Sequence, residues 1–517
     1  MSDVRLDPVT LSVLASALAG IAEEMGAVLI RGAYSSNIKE RRDCSTALFD
    51  ERGRMVAQAE HIPVHLGAMP EAVAAVMRRD PEPGDVFAIN DPYSGGTHLP
   101  DITLVSPVAH EGEVIGYAVT RAHHSDVGGM SPGSMPSDSR EVYQEGIIIP
   151  PVRLVRGGKY VQDVLDLLLA NVRTPAIRRG DLRAQIAANN IAEERVGELI
   201  ERRDKDIVLA AFDEVISYAE KRTREAIRGL PNGEHTAEDR MEGDGTTDED
   251  IPIKTTVSIE DDAMTVDFSG TSDAVAGNVN CPLPVTRSAC YFALRVLLPK
   301  DIPANAGTYA PLEIKAPEGS LVNAQSPSAV VAGNVETSNR IADAVLAAFA
   351  EFAPEELPAQ GQGTMNNTII GGRQGRGWTY YETIGGGQGA SEKGPGPSGV
   401  HVGMSNTLNT PIEAFEMEYP MRVERYELLY ESGGAGENRG GDGVVRSVRV
   451  LEPASLSLLA DRRRYPPRGM EGGEPGAVGE NLLNDEELPP KVSRELEEGD
   501  VVTVKTPGGG GYGRSPQ

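Results

Sequence analysis

NDPYSGGTHLPDITLVSPVAHEGEVIGYAVTRAHHSDVGG, residues 90–129, is the stretch from which the fold and the chemistry are read. Apolar runs at 102–109 and 114–122 flank Glu111-Gly112-Glu113, the pattern of a β-hairpin with a three-residue turn. Centring the ribbon on Gly112 sets Val105 opposite Val119, Asp101 opposite His123, and His110 opposite Val114. Directly opposed side chains on one face of an antiparallel pair have Cβ atoms about 5 Å apart. Asp101 and His123 therefore meet at the open end of the ribbon. His98 lies three residues before Asp101, with Pro100 bending the chain between them. The register carries the argument, because a slip of one residue would put His124 opposite Asp101 in place of His123.

Two imidazoles and a carboxylate form a recurring divalent-metal set that fills one side of the ion and leaves positions for water and substrate. The bland alternative is a polar hairpin end with hydrogen-bonded His. The expected ligands are His98, Asp101 and His123. Asp91, His124 and Asp126 are the local candidates to orient them or shuttle protons. Arg121 shares a face with His123 and could hold an anionic substrate group. His124, Asp126 and Arg121 are thus the candidate catalytic residues, while His110 sits at the far end beside the turn as a solvated bystander.

Other reactive residues have weaker settings. His61 and His65 are spaced for one face of a helix, but Pro63 between them favours a loop lining a pocket. His235 and His401 lack local partners; His401 follows a Gly/Pro loop that could line a site. Cys44 follows Arg41-Arg42-Asp43, a basic setting that could lower its pKa, but no paired His is evident. The matches to G-x-G-x-x-G at 394–399 and 508–513 open no helix, and no Walker-type loop is present. The chain is not expected to bind ATP by itself.

Outward from the hairpin, Asp7-Pro8 opens a helix over 9–32, residues 46–59 form two short strands, 67–79 a short helix and 85–90 a strand. Residues 160–229 carry the strongest helical periodicity, closed by Gly229-Leu230-Pro231-Asn232-Gly233. Strands follow at 251–260 and 263–270 around Asp261-Asp262, then helices at 283–298 and 336–353. From about 363 the chain is Gly-rich and strand-like, and its clusters, Gly385-Gly386-Gly387 and Gly508 to Gly511 among them, read as tight turns. The expected class is α+β, a β-rich mixed body with a helical segment packed on one side. The expected regions are 1–159 with the metal-site hairpin, 160–231 helical, 232–362 mixed, and 363–517 Gly-rich β.

The 517 residues bear 49 Lys+Arg against 77 Asp+Glu, a net charge of -28. Only 10 of the basic residues are Lys, leaving 39 Arg. Such a surface repels phosphate backbones, so no nucleic-acid partner is expected. It also suits a halophilic protein; stability unchanged or lower in multimolar KCl would remove that reading. With no run of eighteen apolar residues, no membrane span is expected. The N-terminus lacks a signal pattern and the three Cys are scattered, which together give the expectation of a cytoplasmic protein with reduced thiols.

NDPYSGGTHLPDITLVSPV and RAHHSDVGG, with EVYQEGIIIPPVRL, GNVETSNRIADAVLAAF and SGGAGENRGGDGVVR further on, resemble the hydantoinase B/oxoprolinase family over nearly the whole length. The resemblance implies the B-type component of a two-component, ATP-dependent enzyme opening a hydantoin or oxoproline-like cyclic amide. A hydantoinase A-type ATPase subunit would use the ATP and activate the substrate, making a hetero-oligomer. It further implies a divalent metal (Mn, Fe or Zn) on His98, Asp101 and His123. Asp126 or His124 would then take up a proton, and Arg121 or the Glu336/Arg340 region would position the substrate. Two other readings stay open: the large subunit of an ATP-dependent ketone carboxylase, and a non-catalytic scaffold for the ATPase.

Overall fold

The computed structural model describes residues 6–373 and 377–515. A seven-stranded antiparallel sheet forms the N-terminal body. Its strands are β1 (Cys44–Asp50), β2 (Met55–Glu60), β3 (Val86–Ile89), β4 (Asp101–His110), β5 (Glu113–His123), β6 (Val152–Arg156) and β7 (Lys159–Tyr160), in the order β2-β1-β5-β4-β3-β6-β7. The hairpin β4–β5 is thus central, flanked by β1 and β3.

The register is the expected one from Asp101↔His123 to Val108↔Gly116. It then shifts at a bulge between Val108 and Ala109, so that His110 pairs with Glu113, not with Val114. The turn contains two residues rather than three. Glu111 and Gly112 both adopt positive φ (51° and 82°), the combination that matches the twist of the strands in a two-residue hairpin loop. The bulge absorbs the residue the shorter turn leaves over, so the ligand end keeps its register.

Alternation along β4 and β5 divides the sheet's two faces. Leu48, Val108, Ile115, Ala118 and Ala122 pack under the helices, together with Leu18, Met25 and Leu29. The Pro8–Gly32 helix begins at Asp7, whose carboxylate accepts from Val9 N and Thr10 N (both 3.0 Å), with Pro8 at the first helical position. By length and composition it could cross a membrane. Here its buried stripe Leu14, Leu18, Ile21, Met25 and Leu29 lies in the core instead. Helices Pro175–Arg203 and Lys205–Arg228 complete the layer through Ala184, Ala188, Val196, Val208 and Phe212. Polar bonds fix this layer: Gln185 Nε2 donates to Ile102 O (3.0 Å) and Asn189 Nδ2 to Ser106 Oγ (2.9 Å).

The opposite face, with Ala47, Phe49, Val105 and Val119, joins the main core. That core includes the second sheet: β8 (Gly233–Glu242), β9 (Asp250–Glu260), β10 (Ala263–Asp267) and β11 (Leu312–Lys315), in the order β11-β10-β9-β8. Helices Leu283–Leu297 and Ser338–Ala350 contribute Val285, Cys290, Ile341 and Val345 to it. The expected helix at 336–353 is preceded by a π-turn, Gly333–Thr337. A fold of mixed helices and several antiparallel sheets, with helices over one face of the first, is what the sequence led one to expect.

Two more sheets follow among the described residues. One contains β12 (Asn367–Gly372) and β13 (Thr379–Glu382), and the other β14 (Met421–Leu429) and β15 (Gly443–Val450). β16 (Ala454–Leu459) and β19 (Lys491–Leu496) extend the first; β17 (Glu480–Leu483), β18 (Glu486–Leu488) and β20 (Val501–Lys505) extend the second. The glycine clusters are not mainly turns. Gly385-Gly386-Gly387, Gly433-Gly434, Gly440-Gly441 and Gly508 to Gly511 lie outside the positive-φ residues and run beside one another, backbone against backbone. Gly434 N donates to Gly509 O (2.8 Å), Gly509 N to Gly441 O (2.9 Å), and Gly441 N to Gln388 O (2.8 Å). A Cβ on Gly387 would come within 2.0 Å of Gly441 O, so close approach is what requires glycine there.

Candidate metal centre

Three donor atoms converge where β4 and β5 end. His98 Nε2 lies 3.1 Å from Asp101 Oδ1, His123 Nδ1 lies 3.2 Å from the same oxygen, and the two ring nitrogens are 3.1 Å apart. Donors at right angles around an ion at 2.0–2.2 Å are separated by about 3 Å, so the triangle matches three neighbouring coordination positions. All three side chains are buried. Strand pairing positions Asp101 and His123. The loop before β4 positions His98, whose Nδ1 faces Val331 O (3.4 Å) and leaves Nε2 toward the triangle.

The electrostatics suit a cation. Burial pushes His123 down to about 3, so its ring is neutral and its lone pair available. Burial also opposes charge on Asp101, but the His98 charge and hydrogen bonds from His123, His65 and His98 prevail and hold the carboxyl well below its usual range. For His98 the balance is similar: burial lowers its pKa, the Asp101 charge raises it, and the net shift is upward. The protein thus carries an anion and two imidazoles aimed at one point, and the residues fit a divalent ion. Orientation is reinforced from behind: Thr97 Oγ1 donates to Asp101 Oδ2 (2.5 Å), and Tyr381 stacks on His123 with centroids 4.6 Å apart.

Sequence reasoning did not assign two neighbours to the triangle. His65, on the Pro63–His65 turn, places Nε2 3.5 Å from Asp101 Oδ2 while its Nδ1 meets Ser45 Oγ (2.9 Å). Asp43 lines the same cavity, and burial with the nearby Asp101 charge pushes its carboxyl up to about 7. Asp43 lies immediately before β1, the strand paired with β5, and its carbonyl accepts from His123 N (3.0 Å). Thr383, Ser405 and Thr407 form the far wall. Arg41 stands behind them, donating to Thr383 Oγ1 (2.5 Å) and Thr407 Oγ1 (3.2 Å), and His401 bonds Ser405 Oγ (2.7 Å). The only usable sequence signal for Asp43 was adjacency to a strand of unknown partner.

The other candidates occupy different places. Arg121 is buried on the expected face, with Nε on Thr103 Oγ1 (2.7 Å) and Nη2 on Gly95 O (2.9 Å). His124 points to the helical layer, where Nε2 meets Gln185 Oε1 (2.9 Å), and burial with Arg178 lowers it to about 4. Asp126 accepts from Gly128 N, Gly133 N and Arg173, and Asp91 caps its own loop through Tyr93 N and Ser94 Oγ. Glu336 is buried on the π-turn, and Arg340 is held by Asp343 (3.2 Å) and Asp239 (3.6 Å). Cys44 is buried on β1; burial and Asp43 push its thiol up, outweighing Arg42, so the basic setting does not activate it.

A mixed fold of largely antiparallel sheets thus carries a buried His-Asp-His set at a hairpin mouth. The description "Hydantoinase B/oxoprolinase" matches residues 7–515, and the chain belongs to that family. It is 43% identical to an uncharacterized protein of Methanocaldococcus jannaschii, over 98% of this chain and 91% of that one. It is 36% identical to the B-type component of a putative D-/L-hydantoinase from a Pseudomonas species, over 98% and 90%. With 5-oxoprolinase 1 of Arabidopsis thaliana the identity is 39%, and the chain spans 42% of that longer protein. The fold matches the ATP-dependent caprolactamase of Pseudomonas jessenii with a TM-score of 0.92 at 30% identity, covering 99% of this chain and 93% of the other. It also matches acetone carboxylase at 0.89 and 18% identity, covering 98% and 76%.

Proposed function

We propose that this chain is the B-type component of an ATP-dependent hydrolase of cyclic amides, working beside a hydantoinase A-type ATPase. The carrying observation is the 3.1–3.2 Å triangle of His98 Nε2, Asp101 Oδ1 and His123 Nδ1. Relatives named as a hydantoinase component and a caprolactamase favour a cyclic amide over a ketone substrate.

His98, Asp101 and His123 would hold a divalent metal, which when bound supplies Lewis acidity and acidifies water. The chain's own residues do the rest. Asp43, a buried carboxyl lining the same cavity, is the candidate to exchange a proton beside the triangle. Ser405, Thr383 and Thr407 line the cavity with hydroxyls tied to His401, Arg41 and one another. Arg121, His124 and Asp126 act as positioning residues: Arg121 ties the loop before His98 to β5, while His124 and Asp126 anchor the chain beyond it.

The test is reconstitution with the A-type partner, screening hydantoins, oxoproline, lactams, and ketones with bicarbonate for ATP-dependent turnover. His98→Ala and Asp101→Ala should lose both metal and turnover. Metal loss with turnover unchanged refutes the assignment.

A further inference from the structure

The space at the triangle is small. The cavity lined by Asp43, Asp101 and His123 offers about 10 Å³, at the lower limit for one water and far too little for a ring. A second cavity, of about 540 Å³, is not at the triangle but shares its wall. Three stretches line both: Asn334 and Val335 face the small cavity and Asn339 the large one; Met365 and Gly363 divide likewise; Ser405 faces the small cavity, Val402 and Gly403 the large one.

One of these three stretches is a tight turn. Ser405 N bonds Val402 O at 3.3 Å, and Gly403 holds φ at 62°. Asn339 pins this turn: its Oδ1 accepts from Met404 N (3.3 Å), and its Nδ2 donates to Val335 O (2.8 Å) on the π-turn. These two 3.3 Å bonds are long for N–H···O. The π-turn itself is an irregularity of the kind often found at functional positions.

The large cavity has an apolar wall beside polar groups; of its charged lining residues Asp343 is already paired with Arg340 and Arg462, and Arg468 is exposed at the edge. Phe292, Val296 and Leu346 give an apolar wall, and exposed Glu351 and Glu471 mark its open side. The Gln388 carboxamide lines it without a hydrogen-bond partner among the described residues. A carboxamide offers a donor and an acceptor side by side, the complement of the N–H and C=O of a lactam or imide.

We infer that the 540 Å³ cavity is the docking chamber for a neutral cyclic amide, and that displacement of the Val402–Ser405 turn from Asn339 opens it to the metal centre. The inference deepens the function proposed above and rests on it.

The full chain is loaded with Zn²⁺, and release to EDTA is timed with and without hydantoin. Hydantoin should slow release from the parent, Asn339→Ala should speed it about tenfold, and Ala347→Phe, which fills the chamber, should abolish the hydantoin effect. Ala350→Phe serves if Ala347→Phe does not fold. A chain that binds Zn²⁺ but releases it at one rate, whatever the variant and with or without hydantoin, overturns the chamber. A parent that binds no Zn²⁺ overturns the metal centre instead. The chamber then stands or falls on calorimetric hydantoin binding, which should be present in the parent and lost in Ala347→Phe.

Discussion

The Tyr381 ring lies over that of His123, centroids 4.6 Å apart and planes 24° apart, joining β13 of the C-terminal half to a ligand on β5. Its hydroxyl donates to Asn367 Oδ1 (2.9 Å), and Asn367 Nδ2 donates to Glu336 Oε1 (2.8 Å). The orientation of His123 therefore depends on residues more than two hundred positions downstream.

Removing the Tyr381 ring tests that support. Tyr381→Ala should cost about 3–5 kcal/mol of stability by chemical denaturation. It should also weaken Zn²⁺ binding about 10–100-fold by competition titration. Tyr381→Phe keeps the stack but leaves Asn367 Oδ1 without its donor, at about 1–3 kcal/mol, with metal affinity nearly unchanged.

Metal affinity should depend on pH through His98. Burial works against its charge, Asp101 favours it, and the net pKa is raised, so binding must displace that proton. Affinity then climbs about tenfold per pH unit until His98 is neutral and flattens above. Without metal the sign reverses. The charged His98–Asp101 pair gives its full stabilisation below the unfolded His pKa of about 6.5 and loses it as pH rises through the higher folded value. Zn²⁺ titrations and thermal melts across this range test both signs.

Glu336 should make the fold less stable as pH rises. Burial and the Asp461 charge push its carboxyl up to about 7, so between the unfolded value and 7 the native state holds a proton that the unfolded chain has lost. Glu336→Gln removes this dependence while keeping an acceptor for Met365 N and Asn367 Nδ2. The fall in melting temperature from acid to alkaline buffer should shrink in the variant; an unchanged fall counts against the raised carboxyl.

Gly387→Ala should destabilise the protein by about 1–3 kcal/mol or more, since the new methyl meets Gly441 O at 2.0 Å. Gly197→Ala, in the Pro175–Arg203 helix with nothing within 4 Å of the new atom, should instead gain about 0.5–1 kcal/mol. Denaturant titration of the two variants separates a glycine required by close approach from one that is not.

The hairpin was legible because two-residue alternation and a central glycine define a ribbon and its register. That alone brought Asp101 opposite His123. The bulge at Val108 was not, because the same letters accommodate a two- or three-residue turn. Asp43 and Tyr381 were missed for a different reason: alternation does not tell which strand lies beside which, and both reach the site through neighbours chosen by the tertiary fold. Pro63 puts His65 in a pocket-lining loop, but its approach to Asp101 has no local signal in the sequence. The glycine clusters were misread because a residue chosen for lacking a side chain looks the same in a turn and in a crowded seam.

Gly508 to Gly511 thread between the segments around Gln388, Gly434 and Gly441, bonded to them main chain to main chain. This stretch acts as a bolt drawn through loops contributed much earlier. A proteolytic cut just before Pro507 would break the continuity of this stretch and release all of those loops together, so damage there would be felt far upstream of it.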